Sequence, residues 1–381
     1  MKKIGTGIIY RHLVKPILFL FPADTVHHLF LRTGRILGAY PLMRRIVSVL
    51  WRYDSPMLVQ DVAGMHMQNP IGLSAGFDYN ADLVQILPSV GFGFHTIGTL
   101  TAESYEGNPP PMLGRLPKSK SLLVNKGFKN DGVVSVLDQV PPRSGASMRG
   151  VSIGATNKPY ADFASMVANL VEGFRLANTY HTFDYFELNI SCPNLLNTRN
   201  LNGSLASVDG LRQTLEMLAP LGISRPVFIK MPLERTVDEM DALIAVAVRY
   251  EFVRGFVFAN LAKDRSNPAF DTCEIAAAGV GNFSGKPLAA QSTELLRHAY
   301  ERYHARFVFV GVGGVFSAED AYDRICAGAS LVQLITGMVY EGPQQIGVIN
   351  EGIAHMLTRD GYSNIAEAIG AKTRPNAQNP L

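Results

Sequence analysis

The stretch Tyr185-Phe186-Glu187-Leu188-Asn189-Ile190-Ser191-Cys192-Pro193-Asn194 predicts both the fold of the chain and the position of its functional site. Its first half is apolar and β-prone, and it ends abruptly in amides, a hydroxyl, a thiol and a proline. A buried parallel strand that delivers polar side chains to the mouth of a barrel has this pattern. Pro193 cannot donate to a central ladder, so we expect the strand to end there. Cys192 then lies in the loop that follows the strand.

A cysteine flanked by asparagines also has a simpler interpretation. Cys192 can be a packed structural thiol, with Asn189 and Asn194 capping a turn. Alternatively, the thiol and the two amides face a planar, amide-rich ligand, for which asparagine offers both donors and acceptors. The rest of the chain favours the second interpretation, in which these side chains face a ligand.

Strand-like runs alternate with helical patterns from residue 69 onward. The predicted strands comprise residues 71–75, 94–98, 150–154, 185–190, 227–231, 255–259, 307–312 and 331–336. Helical patterns separate most of these runs, for example at residues 162–178, 237–250 and 292–304. Parallel strands joined by helical crossovers predict an α/β fold, the (β/α)8 TIM barrel, with its functional site at the carboxyl ends of the strands. The long insert at residues 100–148 predicts a lid or an accessory hairpin over the mouth.

The composition fits a large globular domain in a reducing compartment. Of 381 residues, 47% are hydrophobic and 18% are charged, which allows a large core and excludes bulk disorder. The three cysteines, Cys192, Cys273 and Cys326, form no CxxC pair. This spacing argues against a disulfide framework and against a zinc site, so we predict no bound metal.

Residues 1–52 differ from the rest of the chain in charge. They contain nine Lys or Arg residues and a single acid, Asp24, whereas the remainder has more acids than bases. A basic, apolar segment on a mildly acidic body favours an anionic membrane surface as partner. Nucleic acid is disfavoured, because the basic residues alternate with Leu, Ile and Phe and no reading motif follows. The chain is therefore predicted to comprise a helical extension (1–52), a barrel (53–372) and a loose tail (373–381).

The extension is predicted to form two or three short helices. Residues 8–21 and 25–50 carry helical patterns, with breaks expected at Pro16, Pro22 and Pro41. No uncharged run approaches the roughly 20 residues that span a bilayer. A signal peptide is disfavoured because the apolar stretch is interrupted. Two interpretations remain, a helical cap that packs on the body or an interfacial helical pair in the headgroup region.

Glycines and polar residues follow the later strands. Gly311-Val312-Gly313-Gly314 ends one apolar run and Thr336-Gly337 ends the next, where barrels commonly bind a phosphate. Glycines also make tight turns, so either cluster alone is weak support for an anion site. Lys230 is predicted to point into the mouth, although a lysine at a strand end can also extend to solvent. Asn260 adds an amide at the next strand end.

A set of motifs extends over nearly the whole chain. They are Asn-Pro-Ile-Gly-Leu-Ser-Ala-Gly-Phe-Asp at 69–78, Ile-Gly-Thr at 97–99, the stretch at 189–194, Lys230, Phe-Ser-Gly-Lys-Pro-Leu at 283–288, Gly-Val-Gly-Gly at 311–314 and Ala-Gly-Ala-Ser-Leu-Val-Gln at 327–333. In combination they resemble the dihydroorotate dehydrogenase family, specifically its membrane-associated, quinone-using class 2.

The resemblance implies FMN bound at the barrel mouth. By position, the residues implied in cofactor binding are Ala75, Gly76, Thr99, Ser152, Asn189, Lys230, Ala259, Gly285, Gly313, Gly314, Ile335 and Thr336. Those implied in substrate binding are Tyr79, Asn125, Gly127, Phe128, Asn189, Asn194 and Asn260. The resemblance makes Cys192 the base that removes a proton from C5 of dihydroorotate while hydride leaves C6 for the flavin. Lys230 would stabilise negative charge on the reduced flavin.

The same resemblance implies partners and a location. Electrons would pass from the flavin to a membrane quinone, in a reaction of pyrimidine biosynthesis. The basic helices would hold the protein peripherally at the cytoplasmic face of a bacterial inner membrane.

The chain departs from the family at several positions. Class 2 enzymes usually carry Ser where this chain has Cys192, and the family's lysine after Gly-x-Asp is replaced by Tyr79. The Asn-Arg-x-Gly-Phe-Asn motif appears as Val-Asn-Lys-Gly-Phe-Lys at 124–129, and Ser152 replaces an Asn that faces the flavin. The candidates for the missing positive charge are Lys126 and Lys129.

Three hypotheses about function follow. The first is a dihydroorotate dehydrogenase of the class 2 type. The second is a paralogue that acts on another cyclic amide or small carbonyl compound, which the altered ring-binding positions favour. The third is a non-catalytic flavin-binding protein. It is disfavoured because only chemistry requires both Cys192 and Lys230.

Overall fold

The fold is a closed barrel of eight parallel strands, seen in a computed structural model that describes residues 2–143, 145–195 and 201–373. In chain order, barrel strands 1 to 8 are Ile71–Leu73, Phe94–Leu100, Met148–Ile153, Tyr185–Asn189, Val227–Lys230, Val253–Phe258, Val308–Val312 and Leu331–Leu334. Each strand pairs in parallel with its chain neighbours, and strand 8 pairs with strand 1 to close the ring. The predicted TIM barrel is confirmed, with strand limits that differ by a few residues.

Side chains alternate between the inside of the barrel and the helices around it, because successive residues of a strand point to opposite faces. In barrel strand 4, Phe186 packs on Phe174 of the surrounding helix Phe163–Asn178. Tyr185 points inward, where it contacts Phe94 and Phe228. The same alternation directs Glu187 and Asn189 inward.

Helices cover the outside of the barrel. The long ones are Phe163–Asn178, Val208–Leu218, Val237–Ala247, Ala289–Tyr303, Ala318–Cys326 and Gln345–Arg359, and the short ones are Leu87–Val90, Val133–Asp138, Thr336–Glu341 and Ile365–Ala368. The short helix Thr272–Ala277 lies apart from these, and its Ile275 packs in a cluster with Leu123 and Phe283. Helix Val237–Ala247 begins in a capping box, in which Thr236 and Glu239 each accept a hydrogen bond from the other's backbone N–H. This start is the one that the sequence predicts.

A short hairpin closes the amino-terminal end of the barrel. Its strands Gln60–Val62 and Met65–Met67 are antiparallel, and Met65 and Met67 pack against the inward side chains at the strand starts. The sequence does not predict this hairpin. Each strand has only three residues, and the turn residues Ala63 and Gly64, both with positive φ, are a weaker signal than Asn-Gly.

The insert at residues 100–148 contains the accessory hairpin that its length predicts. Strands Leu113–Leu116 and Ser121–Val124 are antiparallel, and the distant strand Asn282–Gly285 adds to the second of them. These strands form a three-stranded sheet, and a bridge between Phe283 and Ala262 joins it to the loop after barrel strand 6.

The amino-terminal extension is helical up to Trp51. Its segments are Lys2–Ile9, the π-helical turn Tyr10–Val14, Lys15–Phe19, Ala23–Ala39 and Pro41–Trp51. The break predicted at Pro16 is wrong. Pro16 lies in the first turn of Lys15–Phe19, where its missing N–H costs little, and the wider π turn before it keeps the chain helical. Pro22 and Pro41 do separate helices.

The extension packs closely on the barrel domain. A Cβ on Gly38 would lie only 3.0 Å from Cβ of Gln85, so glycine permits the close approach of helix Ala23–Ala39. Asp24 accepts hydrogen bonds from the backbone N–H groups of Met112 and Leu113, both at 3.1 Å. Within the described residues, no helix combines the length and apolar composition needed to cross a bilayer. Of the predicted tail, only Thr373 lies within the described residues.

Candidate functional site

One continuous cavity of about 350 Å³ connects the carboxyl ends of the barrel strands with the amino-terminal helices. Its barrel end is polar and is lined by Ala75, Gly76, Thr99, Asn189, Cys192, Asn194, Lys230, Asn260 and Ile335. Its helix end is mainly apolar and is lined by Leu18, Phe19, Val26, Phe30, Leu37, Val47 and Trp51. A ligand with a polar head and an apolar tail fits such a cavity.

The polar wall is a chain of hydrogen bonds between strand ends. Asn189 donates to the hydroxyl of Thr99 over 2.9 Å, and Asn260 donates to Ser191 over 2.9 Å. Ser152 lies behind this wall, fully buried, with its hydroxyl 2.9 Å from that of Thr99. Ser152 therefore orients Thr99 and does not itself line the cavity.

Lys230 brings a buried positive charge to the wall. Its Nζ atom lies 3.2 Å from Oγ of Ser74 and 3.3 Å from Oε1 of Glu187. Glu187 is completely buried. Glu187 is not among the predicted site residues, although an acid at the inward position two residues before Asn189 is a signal in the sequence that identifies it.

Cys192 lines the cavity directly after barrel strand 4, as the sequence predicts for a residue of the following loop. The residue is half-buried, but burial of its sulfur raises the pKa of the thiol to about 12. The backbone N–H of Asn194 and the charges of Lys230 and Lys263 lower that pKa in part. The thiol is therefore mostly protonated at neutral pH.

Tight loops stand beside the cavity after barrel strands 7 and 8. Gly314 has φ +75°, and a Cβ there would lie 2.5 Å from Cβ of Ala289. A Cβ on Gly285 would lie 2.9 Å from Thr336, whose hydroxyl is 2.8 Å from that of Ser284. Glycine is favoured at both positions because protein atoms occupy the space of a side chain and φ is positive, and glycine-rich loops near the last two strands are a common phosphate site of barrels. Gly313, also at positive φ, and Ala259, at the end of strand 6, belong to the same rim.

The space beside Gly76, in contrast, is open. A Cβ there would meet only Cδ1 of Ile335, at 3.9 Å, among the described residues. The open volume beside Gly76 is bounded by Thr99, Asn189 and Lys230, which line the same cavity. A flat ring with hydrogen-bonding edges, as in a flavin, fits these residues.

The insert brings its Gly127-Phe128 segment to the cavity near Asn194. Phe128 has φ +67°, which is rare for an aromatic residue and indicates a conformation that the surrounding contacts enforce. Asn125 lies deeper, where it accepts a hydrogen bond from Asn108. Asn108 also donates to the backbone carbonyl of Asn194. Asn125 thus holds the segment in place, whereas Gly127 and Phe128 line the cavity.

Tyr79 points toward the helical extension. His27 Nε2 lies 2.9 Å from the carbonyl of Phe77, so that nitrogen donates and Nδ1 accepts. Tyr79 donates to Nδ1 over 3.0 Å, and Lys126 in turn donates to the Tyr79 hydroxyl over 3.0 Å. The nearest carboxylate, Asp24, is 3.8 Å from the ammonium.

Burial shifts the pKa values of Lys126 and His27. It lowers the pKa of Lys126 to about 8, which Asp24 partly opposes. It lowers the pKa of His27 to about 3, helped by the charge of Lys126, so His27 is neutral at physiological pH. The sequence offers two lysines as a substitute cation, and both line the cavity. The contacts of Lys126 direct it toward the helices.

Comparison with known proteins gives consistent matches. A sequence model of the family described as dihydroorotate dehydrogenase matches residues 57–357. Dihydroorotate dehydrogenase (quinone) of Nocardia farcinica is 36% identical over 363 residues, covering 94% of this chain and 96% of the relative. The protein of the same name from Roseiflexus sp. is 34% identical over 365 residues, covering 94% and 97%.

A solved structure agrees in fold. The crystal structure of DHODH in complex with ferulenol from Eimeria tenella superposes with a TM-score of 0.80 at 25% identity, covering 93% of this chain and 96% of that one. The family match over most of the chain, the identity to full-length relatives and the barrel with its polar mouth lead to one conclusion: this chain belongs to the dihydroorotate dehydrogenase family.

Proposed function

We propose that this protein oxidises dihydroorotate to orotate with FMN as cofactor and passes the electrons to a membrane quinone. The continuous cavity carries this proposal, because it joins a polar barrel end to an apolar end between the helices. The names of the full-length relatives, dihydroorotate dehydrogenase (quinone), agree with it.

FMN fits the residues at the barrel mouth. Gly76, Thr99, Asn189 and Lys230 would face its ring, with Ile335 beside them. Gly285, Gly313, Gly314 and Thr336 would surround its phosphate, and Ser152 and Ala259 would support these contacts from behind. FMN bound there would accept a hydride and release two electrons.

Cys192 is the proposed base. It lines the cavity together with Asn194, Asn260 and Phe128, which would hold the substrate ring. Because burial raises its pKa to about 12, only a small fraction is thiolate at neutral pH. The charge of Lys230 lowers that pKa, so the cation serves the base as well as the cofactor.

The amino-terminal helices are proposed to bind the membrane and admit the quinone. Thirteen of the seventeen large apolar side chains that are exposed in the described residues belong to the extension, for example Leu20 at 82%. The extension is also the strongly basic part of the chain. Both properties suit an interfacial segment on anionic lipid, at the cytoplasmic face of a bacterial inner membrane.

A second function is favoured by one observation. Tyr79 replaces the family's lysine and is hydrogen-bonded to His27 and Lys126 on the helix side. A substrate without a carboxylate would not need that lysine. The alternative is therefore a flavin oxidoreductase that acts on a different cyclic amide or small carbonyl compound.

The test is turnover by the purified protein. We expect a yellow protein whose flavin is bleached by dihydroorotate under anaerobic conditions and recovers its colour on addition of a quinone analogue. Bound flavin that dihydroorotate does not bleach would reject the first function and leave the second. Protein that takes up no FMN on reconstitution would reject both.

A further inference from the structure

Glu187 is a completely buried carboxylate in the centre of the barrel, below the proposed flavin site. It comes from barrel strand 4 and faces inward between Tyr185 and Asn189. Its Oε1 atom is 3.3 Å from Nζ of Lys230, and its Oε2 atom accepts a hydrogen bond from Gln333 over 3.2 Å. The two oxygens thus have different partners.

The surroundings fix the carboxylate from several strands. Gln333, in strand 8, also donates to Thr96 of strand 2, whose hydroxyl is 2.8 Å from that of Tyr185. Apart from the ion pair with Lys230, Oε1 of Glu187 makes no hydrogen bond within the described part of the chain. Its charge is therefore compensated chiefly by that one lysine.

Burying an acid here lowers the stability of the fold, and an ion pair offsets that loss only in part. An unpaired buried carboxylate is strongly destabilising, and a buried ion pair is often no better than apolar residues of the same size. Lys230, for its part, has a second neighbour in Ser74 and lines the cavity. The lysine can thus face a ligand on one side and Glu187 on the other.

We propose that Glu187 is a positioning residue that holds Lys230 and offsets its charge, and thereby sets the reduction potential of the bound flavin. The inference rests on the proposed function in so far as FMN binds beside Lys230. A cation near the flavin favours its negatively charged reduced form. A carboxylate on the far side of the cation opposes this effect, because two buried opposite charges attract each other strongly.

The consequence has a definite sign. Glu187→Gln removes one negative charge but keeps the size of the side chain and an oxygen that can accept from Gln333. The reduced flavin is then stabilised more by Lys230, so the potential rises. A tenfold change in the equilibrium constant of a two-electron couple corresponds to about 30 mV, and we expect a rise of at least this size.

The experiment is a spectrophotometric redox titration of the holoprotein as purified. Glu172→Gln is the matched control, because Glu172 is an exposed glutamate on helix Phe163–Asn178 that pairs with Arg175. It should leave the potential unchanged. Glu187→Asp is the second variant; it keeps the charge but withdraws it from Lys230, and it should raise the potential by less than Glu187→Gln.

A purely structural role for Glu187 would alter stability and leave the potential where it is. Flavin-loaded Glu187→Gln and Glu187→Asp with the wild-type potential would therefore overturn the inference. Failure of the proposed function looks different: wild-type protein would hold flavin but not oxidise dihydroorotate, and the potentials of the variants would still report on Glu187. Wild-type protein that holds no flavin would overturn both.

Discussion

The ammonium of Lys126 donates a hydrogen bond of 3.0 Å to the hydroxyl of Tyr79. Tyr79 belongs to the loop after barrel strand 1, so this contact brings a cation from the insert to that loop. The hydrogen-bonded chain continues to His27 of the helical extension. Lys126 therefore lies between the barrel and the helices.

Lys126→Met is expected to slow reoxidation of the flavin by a quinone about 10- to 100-fold. This factor corresponds to the loss of one hydrogen bond from a charged group, which contributes about 1.5–3 kcal/mol. Reduction by dihydroorotate should change little, because the ammonium faces His27. Stopped-flow measurement of the two half-reactions separates them. Lys372→Met is the control, because Lys372 is an exposed lysine that pairs with Asp323 and does not line the cavity. A higher KM for dihydroorotate in Lys126→Met, with normal quinone reduction, would instead assign Lys126 to the substrate carboxylate.

Cys192→Ala is expected to slow flavin reduction by substrate about 10²–10⁴-fold, the usual scale for loss of a general base. Flavin content should be unchanged. Since a base acts when deprotonated and burial raises the thiol pKa to about 12, the wild-type rate should increase with pH above neutrality. Cys192→Ser should keep partial activity with its pH optimum shifted upward. Stopped-flow bleaching across pH gives the result, and an alanine variant reduced at the wild-type rate would reject the catalytic role.

Gly314→Val is expected to deplete the protein of flavin. The new Cβ would lie 2.5 Å from Cβ of Ala289, and φ is +75°, so the loop must move. Gly279→Ala is the control, because a Cβ there meets no atom within 4 Å. The ratio of flavin to protein absorbance, before and after reconstitution with FMN, measures the effect. Full flavin content in Gly314→Val would show that the phosphate binds elsewhere.

Replacing the exposed leucines of the extension by glutamate should weaken membrane binding. Leu13, Leu20 and Leu42 are exposed by 61%, 82% and 64%. Each leucine that enters the interface contributes about 1.5–3 kcal/mol, so the triple variant should bind anionic phosphatidylglycerol vesicles at least about tenfold more weakly. The control is Val280→Glu, at a 66% exposed position outside the extension. Equal flotation of the triple variant and the control would rule out the proposed membrane face.

His95 should make the protein sensitive to acid. Burial lowers its pKa from 6.5 to about 3, with Arg149 and Arg143 adding to the shift. Between these values the unfolded chain binds a proton that the folded protein does not, so the free energy of unfolding falls as pH decreases through this window. His95→Leu should flatten the slope by about one proton in urea unfolding between pH 4 and 7. Parallel slopes for the two proteins would contradict this assignment.

The sequence by itself determined the barrel, its strand order and the loop that carries Cys192. These features depend on local patterns. An apolar run that ends in polar residues and proline predicts the end of a buried strand, whatever tertiary contacts the segment makes. The start of helix Val237–Ala247, predicted at residue 237, is equally local, because its capping box needs only Thr236 and Glu239. The glycine clusters after strands 7 and 8 were also visible, because tight turns restrict which residues fit.

Only the tertiary structure decided which charges meet. Glu187 pairs with Lys230 across strands 4 and 5, and Lys126 reaches Tyr79 and His27 from an insert that is distant in sequence from both. The pairing of Asn282–Gly285 with Ser121–Val124 is similarly remote. No periodicity encodes such contacts, because they arise when the barrel closes and places distant segments side by side.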